Sequence, residues 1–91
     1  MNVESLPEWL TRIGVPDDVV SIGEETDQRW CLLTDTDTET DVVRGYEVFW
    51  QEQGNRYDWA RFDDESVACH YLFGRLAWAQ VARGTLTAPT A

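Results

Sequence analysis

The chain has 91 residues, with 17 carboxylates against 7 arginines and no lysine, and a formal net charge of -10. That length holds one domain whose core can stand without disulfides or a metal, and leaves no room for a second. Such a surface repels phosphate backbones and anionic lipid, so nucleic acid and membranes are poor partners, whereas a basic protein would be steered toward it. No apolar run reaches the roughly 18 residues that a membrane span needs.

From the N-terminus, MNVESLPEWL lacks the positive start and apolar block of a secretory signal, which points to a cytoplasmic chain. Ser5-Leu6-Pro7-Glu8 has the form of a capping box, and Trp9, Leu10 and Ile13 then fall on one side of a short helix that Gly14 ends. The segment from Val15 to Gly23 reads equally as a helical turn begun after Pro16 or as an extended loop whose valines and Ile22 tuck under a sheet. Arg29 to Thr34 is a short buried strand. The polar run from Asp35 to Asp41 follows and should project as a loop or hairpin tip.

Most of the apolar content lies between Gly45 and Ala82. Tyr46, Val48 and Trp50 alternate with Glu47, Phe49 and Gln51, the two-residue period of a strand with one side on a core. Gly54-Asn55 supplies a tight turn, and Tyr57 to Phe62 is the returning strand. Asp63 or Asp64 caps a long helix that runs to about Ala82 and stops at Gly84. The sum is an α+β fold: a small two-layer domain over residues 1–84, with a three-stranded antiparallel meander, a short N-terminal helix and a long C-terminal helix packed on the sheet. Residues 85–91 read as a flexible C-terminal tail.

At 100° per residue the long helix has two apolar stripes. Ala68, Cys69, Leu72, Phe73, Leu76 and Ala79 form the one assigned to the core. Val67, Tyr71, Trp78 and Val81, with Gly74 among them, lie nearly opposite, and a helix with one side to bury does not need them. They form a candidate homodimer face.

Little in the sequence supports catalysis or a cofactor. Asp35, Asp37, Glu39 and Asp41 have the alternation of a calcium loop, but Thr40 stands at the sixth position and Tyr46 at the twelfth, where glycine and a bidentate glutamate belong. Cys69 and His70 are helical neighbours pointing about 100° apart, so they cannot serve each other, and a zinc site would lack a fourth ligand. Cys31 and Cys69 read as small buried thiols. No nucleophile elbow or glycine-rich phosphate loop occurs.

The aromatic content points to binding instead. Five Trp, three Tyr and three Phe exceed what so small a core readily encloses. Alternation can place Phe49, Tyr57 and Trp59 on the side of the sheet away from the long helix, unless the N-terminal helix covers them. From Asp17 to Asp41 nine carboxylates face Arg29 alone. Aromatic anchors with an acidic rim suit a protein partner with a basic cleft. Asp35, Asp37, Glu39 and Asp41 are the candidate steering residues, and Phe49, Tyr57 and Trp59 the candidate anchors.

The run Tyr46 to Gly54 (YEVFWQEQG), then Phe62 to Leu72 (FDDESVACHYL), with Val15-Pro16-Asp17-Asp18 and Ser21-Ile22-Gly23 before them, resembles a group of small bacterial proteins. That group carries an aromatic-x-Val-aromatic-aromatic strand, a Glu-Arg-Gly turn and Phe-x-x-Glu-x-x-Ala-Cys-x-Tyr opening a helix; this chain has Gln53 where Arg is usual and Tyr46 where Trp is common. Its members are similar to immunity proteins of polymorphic or contact-dependent toxin systems. The resemblance implies a non-enzymatic protein without cofactors that binds a cognate toxin domain and blocks its active site. A structural or regulatory homodimer is the alternative.

Overall fold

The computed structural model describes residues 1–87. Its elements are α1 (Leu6–Arg12), a 3-10 turn (Asp17–Val19), β1 (Val20–Ile22), β2 (Arg29–Thr36), β3 (Val43–Glu52), β4 (Asn55–Phe62) and α2 (Glu65–Ala82). The α+β class stands, but the sheet has four strands in the order β1-β2-β3-β4 and is mixed, not a three-stranded antiparallel meander. The additional strand comes from the segment after Pro16. Both expectations for that segment are partly met: a single helical turn gives way to extended backbone, and Val20, Ser21 and Ile22 pair in parallel with Trp30, Cys31 and Leu32.

Parallel neighbours usually need a crossover of a dozen or more residues. Here the six residues Gly23–Gln28 suffice because β1 is so short: a three-residue strand spans only about 10 Å, which the loop retraces. Gly23 turns the chain at φ 88° and donates its N–H to Leu32 O at 2.9 Å.

β2 and β3 pair antiparallel with Trp30 opposite Trp50 and Leu32 opposite Val48. The β3–β4 hairpin turns one residue earlier than the Gly54-Asn55 pair suggested. Glu52 pairs with Asn55, leaving Gln53 (φ 50°) and Gly54 (φ 77°) as a two-residue loop with both φ values positive, the turn whose twist matches that of the strands. Further along, the register slips between Val48 and Trp50, and Asp58 takes φ 52° at a bulge.

Both helices lie on one face of the sheet. Leu6 and Leu10 of α1 and Ala68, Cys69, Leu72 and Leu76 of α2 close on Leu32 and Val48, with Val20, Ile22, Trp30, Tyr46 and Phe62 at the margin. Gln80 of α2 is buried and donates Nε2–H to Ile13 O at 3.0 Å, tying the helices together. α1 therefore does not cover the opposite face of the sheet.

The helix ends follow local chemistry with one correction. Asp64 caps α2 by accepting the Val67 N–H at 3.0 Å, and Gly84 ends it at φ 79°. At α1 the capping box does not form. Asn2 Oδ1 accepts from the N–H groups of Glu4 (3.0 Å) and Ser5 (2.8 Å), and Ser5 Oγ accepts from Asn2 N. Ser5 is bound back into that preceding turn and makes no side-chain cap. Of the expected tail, Thr85 and Leu86 donate their N–H groups to Gln80 O, and residues 88–91 lie outside the described residues.

Candidate interaction surface

The helix-free face of the sheet is built around Arg56. Its guanidinium stacks 4.2 Å from the centre of the Phe49 ring and 4.6 Å from that of Trp59, and the two rings meet edge-on at 6.3 Å. The bulge makes this possible, since it sets Asp58 and Trp59 against Phe49 where a regular ladder would offer one residue. Phe49 is completely enclosed, whereas Trp59 remains 57% exposed on top of it. A large apolar side chain is thus held in place from below and open from above.

Arg56 also starts a ladder of ion pairs across the face. It donates from Nε to Glu25 at 3.1 Å and from a terminal nitrogen to Glu47 at 3.3 Å. Arg61 bridges Glu47 (2.9 Å) and Asp35 (2.8 Å), and Arg44 reaches Asp35 from the far side at 3.2 Å. The hydrogen bond from Arg61 is the main reason that the Asp35 carboxyl titrates below its ordinary value. The hydrogen bond to Glu25, in turn, is the main cause holding Arg56 above its own. The outer pairs, which lie close to solvent, add little stability, but as a chain the ion pairs fix the orientation of side chains on either side of Trp59.

Two acidic loops bracket the face. Gly23–Gln28 folds over the Arg56 end. Its Thr26 exchanges contacts with the Cys31 thiol (N–H to Sγ 3.5 Å, Sγ to carbonyl 3.4 Å), and Asp27 Oδ1 accepts from Gln51 Nε2 and Gly54 N, both at 3.1 Å. At the other end Asp37 Oδ1 accepts from Glu39 N (2.8 Å) and Thr40 N (3.3 Å), which shapes the tip, while Glu39 and Asp41 are exposed beyond it.

The candidate residues thus separate. Phe49 and Trp59 come together as expected on the helix-free face, but Tyr57 does not join them. It pairs with Trp50, and cross-strand partners share a face, so the bulge returns it to the helix side of the sheet. Of the four loop carboxylates, Asp35 is absorbed in the ladder, Asp37 builds the turn, and Glu39 and Asp41 are left to solvent. Among α2 residues, Val67, Gly74 and Trp78 are exposed, whereas Tyr71 packs on Phe62 at 5.0 Å.

No family model, curated protein or solved structure matches this chain. Among the described residues no helix is long and apolar enough to cross a membrane, and no three His, Cys, Asp or Glu side chains gather where they could hold a metal ion. The two thiols lie on opposite faces of the sheet: Cys31 under Thr26, Cys69 in the helix-side core. Burial pushes both thiols up, Cys69 to about 11, so neither is a ready nucleophile. His70 turns back on its own helix, its Nδ1 lying 2.6 Å from Ser66 O, and does not address Cys69.

Arg56, Arg61, Glu47 and Glu25 are the site residues that the sequence reading did not single out. The sequence held no signal for the set. Glu47 falls opposite Arg61 only because the bulge shifts the register by one; regular pairing from Glu52–Asn55 would set it opposite Ala60. The place of Glu25 depends on the crossover loop.

Proposed function

We propose that this chain is a binding protein of the immunity type, which docks the helix-free face of its sheet on a basic toxin domain and thereby blocks that domain's active site. The observation that carries the reading is Trp59. A tryptophan more than half exposed costs solvation unless something covers it, and this one is backed by a buried ring and a stacked guanidinium, so little side-chain freedom is left to lose on binding. The flanking carboxylates at Glu24, Glu25 and Asp27 on one side and Glu39 and Asp41 on the other favour a cationic partner and would speed its approach. The resemblance of the β3-turn-β4-α2 sequence to toxin-immunity proteins supports the choice of partner.

The test is to co-express the chain with the toxin-like domain encoded by the adjoining gene, and to score both complex formation and survival of the cells. A stoichiometric complex that rescues growth is expected. Trp59→Ala should then weaken the complex by about 2 kcal/mol, roughly thirtyfold, almost wholly through faster dissociation. Absence of any complex sinks the toxin reading, and a complex that Trp59→Ala leaves unchanged moves the interface off this face.

A further inference from the structure

The outer face of α2 carries a second surface that the toxin reading does not use. Val67, Tyr71, Gly74, Trp78 and Val81 follow one another at steps of four, three, four and three residues, the spacing of a coiled-coil seam. The stripe lies opposite the buried Ala68, Cys69, Leu72 and Leu76, and on it Val67 is 51%, Trp78 70% and Val81 40% exposed.

Gly74 is the informative member. Glycine weakens a helix interior, and here it meets no steric need within the chain, since a Cβ at this position would find no atom within 4 Å. The missing side chain leaves room for a second backbone to come close. The stripe is also close to palindromic about it: Val67 lies seven residues before and Val81 seven after, with aromatic Tyr71 three before and Trp78 four after. A two-fold axis through Gly74 would set Val67 against Val81 of a second copy and bring Trp78 beside that copy's Tyr71, whose ring already packs on Phe62 of its own chain. Such a spacing suits an isologous interface, in which the same patch packs against its own copy.

Charge points the same way. Past Glu65 the sequence contains no carboxylate side chain, so the charged side chains there are Arg75 within α2 and Arg83 just beyond its end, on a chain whose net charge is -10. Arg75, at the flank of the seam, pairs with Asp58 of its own sheet at 3.3 Å. Two copies repel each other through their acidic loops and can approach without that penalty through this helix.

We propose that the chain forms a homodimer through an antiparallel, shallow-angled packing of two α2 helices centred on Gly74, with the helix-free faces of both sheets directed outward and available to partners. The inference is independent of what those faces bind. Sedimentation across the micromolar range should show a dimer for the wild-type chain, and Gly74→Glu should leave a monomer with unchanged circular dichroism and a cooperative thermal unfolding transition. For orientation, protein carrying Val67→Cys mixed with protein carrying Val81→Cys should give a disulfide-linked pair on mild oxidation, while neither alone does so. A wild-type monomer at every concentration overturns the proposal, as does a dimer that Gly74→Glu leaves intact, or cross-linking of the Val67→Cys protein with itself.

Discussion

Arg56 does more for this molecule than any carboxylate of the acidic loops. Among the described residues it is the one cation that touches Phe49, Trp59, Glu25 and Glu47 together, closing the core of the helix-free face with its guanidinium plane. Its side chain is only 25% exposed, so much of its worth is packing. Arg56→Ala should therefore lower stability by about 1–2 kcal/mol in denaturant unfolding, the sum of a partly desolvated cation–π contact and the exposure of Phe49. Arg56→Lys should recover less than half, because an ammonium lacks the flat face that lies on the rings. A loss no larger than that of a surface substitution would mean that the stack contributes nothing. The residue scale is where sequence reading was weakest. Trp59 and Phe49 announced themselves by size, but an arginine in a strand looks like any solvated arginine until its neighbours are known.

At the scale of elements, period and punctuation carried most of the information. The cap at Asp64 and the stop at Gly84 each arise from a few adjacent residues, and each is found where adjacent residues place it; β3 is a strand as its period indicated, but Phe49 and Gln51 are buried as well as Val48, so it is covered on both sides and not on one. The exceptions have local competitors. Asn2 took the Ser5 N–H that Glu8 would have served in a capping box and holds Ser5 Oγ through its own N–H, and the hairpin closed on Gln53-Gly54 although Gly54-Asn55 has the better composition for a turn. Cross-strand pairing chose that register, with Val48 against Ala60 and Tyr46 against Phe62 over the core, at the cost of a left-handed conformation at Gln53. Asparagine tolerates that conformation better. Gln53→Asn should thus raise stability by about 0.5–1 kcal/mol without moving the register, as read from unfolding curves. A destabilised variant would show that the Gln53 side chain makes a contribution that outweighs its backbone strain.

For the whole molecule, the distribution of charge separates two surfaces. Carboxylates crowd the two loops that bracket Trp59, and α2 beyond Glu65 has none. A basic partner should be drawn to the first and a second copy to the other. Neutralising Asp37, Glu39 and Asp41 together should slow association with a basic toxin domain severalfold and flatten its dependence on salt, leaving dissociation nearly unchanged. The same change at Asp35 is expected to do less, because that charge is already matched by Arg61 and Arg44. Equal salt slopes before and after neutralising the loop would remove it from the encounter.

What the sequence determined alone was whatever depends on neighbours along the chain: the α+β class, the two apolar stripes of α2, the cap and stop of that helix, the polar tip after Asp35, and the surplus of aromatic residues. What the tertiary structure decided depends on pairing between distant segments. Val20–Ile22 became a strand only because β2 offers an edge for it, and three residues are too few to display a period. Tyr57 and Trp59 were parted by one extra residue at the bulge, since a shift of one position exchanges the faces of a strand. Glu25, Arg56 and Asp35 met across loops and strands whose relative places no local signal encodes. The residues able to bind a partner could be read one at a time, but which of them share a surface followed from the register of the sheet.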